Sequence, residues 1–459
     1  MNVTDYKNFI KGKCVSVIGI GVSNVPLIRF LTDAGAVVTA HDKKNRDQLG
    51  EVYEELVDLG TKMILGEGYL KNIPQNTEVI FKTPGLRIDV TELAEAAEKG
   101  ITVTSEMELF FELCPGQIIA ITGSDGKTTT TTLIGEMLKN AGFNCYIGGN
   151  IGKPLIDEVE GMTAEDKIVL ELSSFQLHAM KHCPEVAVVT NVTPNHLDWH
   201  TDFEEYVNAK KNIFQGQKAG GKVILNYDNE VTKQFAESAQ NSVFFSRNSE
   251  PERGVFLQDD VIVRKTDDGE IDEVLNITDI RIPGMHNVEN YMAAIAAVYD
   301  MVGKETINHV AKSFNGVPHR IEFVREIDGV RYYNDSIASS PARTTAGLKS
   351  FEKKVILIAG GYDKKIPFDE FGSVINEYSK KLILVGATSE KIYAAVKNAD
   401  NYNGLEIFKE SEFESAVNKA RECAQKGDIV MLSPACASFD LFKNFEVRGN
   451  TFKNIVNNF

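Results

Sequence analysis

The chain has 459 residues, too many for one compact core and enough for about three domains. Hydrophobic residues make up 43% and charged residues 25%, which excludes a disordered chain, and no apolar run is long enough for a membrane span. A formal net charge of -16 excludes broad adhesion to nucleic acid or acidic lipid, so an anionic ligand must be met by locally placed cations, backbone amides or metal ions.

The opening residues MNVTDYKNFIKGK contain no apolar leader segment, and a cytoplasmic location is expected. Cys14, Cys114, Cys145, Cys183, Cys423 and Cys436 are scattered without a CxxC pair and read as reduced thiols, not a disulfide or zinc framework.

In chain order, residues 14–19 are expected to form a buried strand, 24–34 an amphipathic helix, and 37–40 a second strand ending at Asp42. Strand-like runs at 78–82 and 101–104 extend this βαβ start into a first domain, residues 1–105. A second α/β series follows, with strands at 117–122, 167–172, 186–190 and 222–226 and a helix over 128–141. An antiparallel pair, 261–264 and 273–275, flanks the Asp268-Gly269 turn, and a helix over 288–302 closes this domain, residues 106–317. The pattern restarts with strands at 355–359, 382–385 and 429–432 in a third domain, residues 318–459. The expected fold class is α/β: a Rossmann-like N-terminal domain, a P-loop ATPase-like centre and a Rossmann-like α/β C-terminal domain.

The first turn, Gly19-Ile20-Gly21-Val22-Ser23-Asn24, would let backbone approach a phosphate at a helix N-terminus, but Asn24 stands where a dinucleotide fingerprint has its third glycine. Asp42, near the end of the second strand, is placed to bind ribose hydroxyls. A tight structural turn is the plainer alternative.

GSDGKTT, Gly123 to Thr129, follows an apolar strand and opens a helix. In that setting the amides of Gly123, Ser124, Asp125 and Gly126 can cradle phosphates, Lys127 can neutralise them, and Thr128 or Thr129 can offer a hydroxyl to magnesium, although Ile121 makes the loop shorter than the usual GxxxxGK[ST] pattern and a surface turn is the alternative. Glu171, at a strand end in ELSSFQL, would supply a carboxylate to that metal, or would merely cap a helix. His196 in TNVTPNHLDWH suits a metal or phosphate contact. His196 and His200 are spaced i, i+4, but no Glu follows His196 and no third soft ligand is evident, so a zinc hydrolase is disfavoured.

Taken together and in order, GSDGKTT, GGNIG (148–152), ELSSFQL, NVTPNHLDWH, YVNAK (206–210) and GMHNVEN (284–290) resemble the central domain of the Mur ligase family. VPHR (317–320), YNDS (333–336), GGYDKK (360–365) and LSPACASFDLFKNFEVRG (432–449) resemble the C-terminal domain of its D-glutamate-adding branch, and no DNPR-like segment points to the diaminopimelate- or lysine-adding relative. The resemblance runs from about residue 12 to the end.

That resemblance implies an ATP-dependent amide ligase of peptidoglycan synthesis, with magnesium as cofactor and with ATP, UDP-N-acetylmuramoyl-L-alanine and D-glutamate as substrates. It implies no nucleic acid, no membrane insertion and no obligate protein partner. Lys127 matches the phosphate-loop lysine, Glu171 and His196 the magnesium-associated pair, and Lys210 the lysine that family members carbamylate, with Lys127, His196 and Lys210 as catalytic residues. Asn287, Asn290, Arg320 and Asp335 match ATP contacts. Val22, Ser23, Asp42, Thr83 and Asn150 match contacts to the UDP substrate, with Lys43 and Lys44 less closely aligned, and Lys364, Ser438 and Phe445 match D-glutamate positions. Ile337, in NDSIASS, replaces the lysine common in that motif and removes a cation there. A nicotinamide oxidoreductase built on the first turn, or a P-loop switch or transport ATPase built on the second, would leave the third-domain motifs unexplained.

Overall fold

The computed structural model describes residues 1–459 and contains three sheets. The first comprises β1 (Cys14–Ile18), β2 (Val37–Asp42), β3 (Lys62–Leu65), β4 (Val79–Lys82) and β5 (Thr102–Thr104), all parallel in the order β3-β2-β1-β4-β5. This is the doubly wound order, in which right-handed crossovers from a central strand leave a crevice at the carboxyl ends of the strands.

The second sheet comprises β6 (Gln117–Thr122), β7 (Cys145–Gly149), β8 (Lys167–Glu171), β9 (Val186–Val189), β10 (Lys222–Asn226), β11 (Ser242–Ser246), β12 (Gly254–Gln258), β13 (Val261–Lys265) and β14 (Ile271–Asn276). Its order is β14-β13-β12-β11-β10-β9-β6-β8-β7, parallel from β7 to β12 and antiparallel across the β12-β13-β14 meander. The apolar runs of β6 and β9 are buried on both faces, as a covered parallel sheet requires.

These two sheets belong to one compact unit, Met1–Ile277 with Glu289–Val310. A continuous core joins them: Tyr6, Ile10, Leu27 and Leu31 pack in the same cluster as Leu155, Ile156 and Val159. Arg29 lies 3.5 Å from Asp157, and Lys7 pairs with Glu160. Ser105, whose hydroxyl accepts from the Glu108 amide, caps the helix Glu106–Leu113 where the first domain was expected to end.

The other unit, Thr278–Val288 with Ala311–Phe459, holds the third sheet. It comprises β15 (Glu322–Ile327), β16 (Val330–Asn334), β17 (Val355–Ala359), β18 (Ser379–Val385), β19 (Glu406–Glu410) and β20 (Ile429–Leu432), ordered β15-β16-β20-β17-β18-β19. Only the β15-β16 edge is antiparallel. No helix in the chain is long and apolar enough to cross a membrane.

Candidate functional site

β6 ends at Thr122, and the loop beyond it turns so sharply that two glycines are obligatory. Gly123 has φ +151°, and a Cβ there would meet Thr190 Oγ1 at 1.9 Å; Gly126 has φ +80°, with Asn290 Oδ1 at 2.4 Å. The helix Lys127–Asn140 starts directly after, so its first amides and positive dipole end face the loop. Side chains fix the turn: Ser124 Oγ donates to Thr193 O at 2.9 Å and shares a hydrogen bond with Tyr206, and the Asp125 amide donates to Asn191 Oδ1. Asn290 Oδ1 also accepts from Thr130.

Two lysines converge here. Lys127 Nζ donates to the carbonyls of Gly123 (2.9 Å) and Ser124 (3.0 Å), and Lys210 Nζ donates to the same Gly123 carbonyl at 2.7 Å. Lys210 is 2% exposed, and its pKa is driven well below that of a free lysine by burial first and by Lys127 second. It rides in the last turn of the helix Phe203–Lys211, whose Tyr206 is the partner of Ser124.

Glu171, the last residue of β8 and 2% exposed, accepts from Thr128 Oγ1 at 2.7 Å and from Asn150 Nδ2 at 2.8 Å. The capping alternative fails: Ser173, not Glu171, caps the helix Ser174–Leu177. Asn150 is held through its own amide to the Glu171 carbonyl, after Gly149, whose φ of +94° lets β7 approach that carbonyl. The Thr128 hydroxyl and Glu171 carboxylate together form a hard, all-oxygen pair, the donor set and number that magnesium beside a nucleotide takes from a protein.

His196 is not joined to that pair by any hydrogen bond. It is exposed, has φ +54°, and sets its ring 5.0 Å from that of Phe175. His200 turns elsewhere: it is buried, with Nε2 3.0 Å from Ser174 Oγ and Nδ1 3.2 Å from Glu205. The two histidines therefore form no i, i+4 metal pair.

In the first sheet, Asn24 fills the place of the missing glycine by donating to the carbonyls of Ile18 and Gly19. The Asp42 carboxylate accepts from the amides of Ile20 (2.6 Å) and Lys44 (2.8 Å), bracing the glycine turn against the end of β2. Val22 is 79% exposed at the lip of the turn, beside Ser23. The Thr83 side chain occupies the space a Cβ on Gly19 would need.

In the second unit, Asp335 follows β16, is 3% exposed, and accepts from Ser433 Oγ at 2.7 Å and from the Ile321 amide at 3.3 Å. Burial pushes its carboxyl up to about 7 despite those donors and nearby Arg320. Asn287 donates to Pro283 O. Ser438 is 3% exposed and caps no helix; the next helix begins at Phe445, capped by Asn444. Lys364 is exposed and donates to Ser339 Oγ at 3.2 Å, while Phe445 packs on His319 and its carbonyl accepts from Ser336. The loop carrying Lys364 and the segment carrying Ser438 meet where Tyr362 donates to the Ala437 carbonyl.

Reasoning from the sequence missed Arg448. It is 2% exposed and donates to Ser336 Oγ, Ser336 O, Cys436 O and Ala437 O, tying YNDS to the residues preceding Ser438. An arginine within a helix of alternating character gives no local sign of such a role.

Three family descriptions match the chain: the Mur ligase MurD-like N-terminal domain over residues 13–105, the Mur ligase middle domain over 121–298, and the Mur ligase glutamate ligase domain over 319–436. The chain is 54% identical to a UDP-N-acetylmuramoylalanine--D-glutamate ligase of Acetivibrio thermocellus, covering 99% of this chain and 98% of that one. It is 51% identical, with the same coverage, to the protein of that name from Ruminiclostridium cellulolyticum. Among solved structures, the UDP-N-acetylmuramate-alanine ligase of Thermotoga maritima shares the fold with a TM-score of 0.56 at 16% identity, covering 97% of this chain and 99% of that one. A UDP-N-acetylmuramoyl-L-alanyl-D-glutamate--2,6-diaminopimelate ligase gives 0.58 at 18% identity, with 92% and 93% covered.

Proposed function

The chain belongs to the Mur ligase family, and on that premise we propose that it joins D-glutamate to UDP-N-acetylmuramoyl-L-alanine with ATP as phosphoryl donor. Full-length identity of 54% to a relative named for that reaction carries the choice of substrates. The glycine-built loop with Lys127, Thr128 and Glu171 supports the chemistry.

A carboxylate does not acylate an amine at neutral pH unless an oxygen is first made a leaving group. The L-alanyl carboxylate attacks the γ-phosphorus of ATP, the bond to ADP breaks, and an acyl phosphate results. The free amine of D-glutamate then adds to the acyl carbon, phosphate departs, and the amine's proton is lost to solvent or base. The loop amides from Gly123 to Thr129 bind the phosphates, and Lys127 leaves its carbonyl contacts to meet charge growing on the transferred group. The Thr128 hydroxyl and Glu171 carboxylate would hold a magnesium ion, whose chemistry is to offset the charge of the β- and γ-phosphates.

Asn287, Asn290, Arg320 and Asp335 are assigned to ATP; Val22, Ser23, Asp42, Thr83 and Asn150 to the UDP substrate; and Lys364, Ser438 and Phe445 to D-glutamate. His196 is assigned to the magnesium environment, and Lys210 to a catalytic role as a carbamate. The test is phosphate release from ATP, magnesium and UDP-N-acetylmuramoyl-L-alanine across an amino-acid panel. Release that depends on D-glutamate is expected, and preference for another amino acid overturns the reading.

A further inference from the structure

The buried guanidinium of Arg448 donates to four acceptors at 2.9 to 3.1 Å: the hydroxyl and carbonyl of Ser336 and the carbonyls of Cys436 and Ala437. Every one of them is a neutral oxygen. Burial pulls its pKa down to about 10, which still leaves it charged at neutral pH. It also stands near the N-terminus of the helix Phe445–Asn457, the dipole end that disfavours a cation. Burial and position both cost free energy, so what the residue supplies is the geometry of its planar fork, which can hold several carbonyls in fixed directions at once.

Those directions converge on the residues assigned to D-glutamate. The Ala437 carbonyl accepts from Arg448 Nη1 at 3.1 Å and from the Tyr362 amide at 2.9 Å, which fixes the peptide joining Ala437 to Ser438. In a trans peptide the Ser438 N–H points opposite to that carbonyl, away from the guanidinium, and a cation on the carbonyl side strengthens the amide as a donor on the other. Arg448 Nε meets Ser336 Oγ, which in turn donates to the Phe445 carbonyl at 2.8 Å. The loop carrying Lys364 closes on the same group: a Cβ on Gly361 would lie 2.4 Å from Ala437 O and 3.2 Å from Arg448 Nη1. Asp335, assigned to ATP, is held separately, through Ser433, the Ile321 amide and the Leu432 carbonyl.

We propose that Arg448 is a positioning residue for D-glutamate, setting the Ser438 donors and Phe445 in place before the amino acid binds. This rests on the substrate reading above. Arg448 acts through Ser438 and Phe445 and touches no substrate itself. Donors fixed in advance need no ordering when the ligand arrives, so the effect falls on affinity for D-glutamate more than on the chemical step.

The test compares the full-length protein with its Arg448→Lys and Arg448→Met variants, by melting curves and by steady-state kinetics with each substrate varied in turn. Lysine keeps the cation and gives up the fork, and methionine gives up both. KM for D-glutamate is expected to rise about tenfold or more in the lysine variant and further in the methionine variant, while KM for ATP and for the UDP substrate stays within about twofold of the parent. At saturating D-glutamate, kcat should fall less than kcat/KM. A folded lysine variant with the parent's KM for D-glutamate, or a parallel rise in all three KM values, overturns the proposal. Failure of both variants to fold also overturns it, by assigning Arg448 to stability alone. A parent that adds another amino acid overturns the substrate reading by itself, and the positioning role then falls only if that amino acid's KM is unchanged in the variants.

Discussion

Arg87 commits all of its N–H donors, and its bidentate bond to Glu205, at 2.8 and 2.9 Å, ties the loop after β4 to the start of the helix Phe203–Lys211. The remaining donors go to Asp89 and the Trp199 carbonyl, and the guanidinium sits 5.1 Å from the Trp199 ring centre. Glu205 also accepts from the Thr201 amide and stands 3.2 Å from both His178 and His200. One carboxylate thus organises the segment between His196 and Lys210.

Removing either partner breaks the bidentate bond and leaves Arg87 with Asp89 and the Trp199 carbonyl, or Glu205 with the Thr201 amide and two histidines. Arg87→Ala and Glu205→Ala should each destabilise the protein, with a coupling energy in the double-mutant cycle on the order of 1–3 kcal/mol. Arg87 holds the Glu205 carboxyl well below the usual carboxylate range. The stability this supplies is present above the unfolded pKa and is lost as pH falls below it toward the depressed folded value. Urea titrations of the four proteins at pH 7 and at pH 3 measure both effects; additive single mutants at pH 7 would show that the pair is not coupled.

Asp335 presents the opposite case. Burial raises its carboxyl to about 7, so between the unfolded value near 4 and pH 7 the folded chain holds a proton that the unfolded chain has released. This favours the fold at low pH, and the benefit disappears as pH rises to 7. Asp335→Asn keeps the shape without the charge and should be more stable than the parent at pH 8 by on the order of 1–3 kcal/mol, with the gap closing at pH 4. Melting curves of both proteins across that range check it, and a constant gap would locate the titration elsewhere.

Legibility in the sequence followed the range of the interactions. β6, its glycine loop and the helix Lys127–Asn140 were readable because strand, turn and helix lie within one stretch of chain and each uses local chemistry. The pairing of β13 and β14 was readable from the Asp268-Gly269 turn. β7 was missed because its last residues are glycines, which read as loop but serve close approach to Glu171. β15 was missed because it is an antiparallel edge carrying Glu322, Arg325 and Glu326, charges that suit an edge and hide a strand. The Arg87–Glu205 bond joins residues 118 apart, and no local pattern marks either end.

Glu171 holds Thr128 and Asn150 on separate oxygens, so its loss affects both the metal donor set and a loop assigned to substrate. Glu171→Ala should lower kcat by about a hundredfold or more and raise the magnesium concentration needed for half-maximal rate, whereas Thr128→Val should chiefly raise the magnesium requirement. Rates measured across a magnesium series separate the two, and unchanged magnesium dependence in both would remove them from the metal.

Ser438 is buried and caps no helix, and Lys364 is exposed, with Ser339 as its hydrogen-bond partner. A carboxylate leaving water needs both a cation and a hydroxyl donor. Lys364→Ala and Ser438→Ala should therefore raise KM for D-glutamate by roughly tenfold or more while KM for ATP and for the UDP substrate change little. Equal effects on all three substrates would assign the two residues to general architecture.

Lys210 and Lys127 donate to one carbonyl, that of Gly123, so two ammonium groups would crowd a loop that must also admit magnesium. Burial and Lys127 together favour the neutral amine at Lys210, and a neutral amine is the form that adds carbon dioxide. Nitrogen bonds to the carbon and, counted from the ammonium, two protons leave to solvent, so the side chain changes from a cation to an anion. Repulsion from Lys127 becomes attraction, and the new oxygens suit a hard divalent ion. Lys211, the adjacent alternative, is less suited because it is not buried as Lys210 is and makes no bond to the loop. The parent enzyme should lose activity reversibly when carbon dioxide is stripped and should show a carbamate carbon by NMR in labelled bicarbonate. Lys210→Ala should be inactive yet partly restored by acetate or another small carboxylate, whereas Lys211→Ala should keep most of its activity. Full activity in the absence of carbon dioxide, with no carbamate signal, would mean that Lys210 works as an amine.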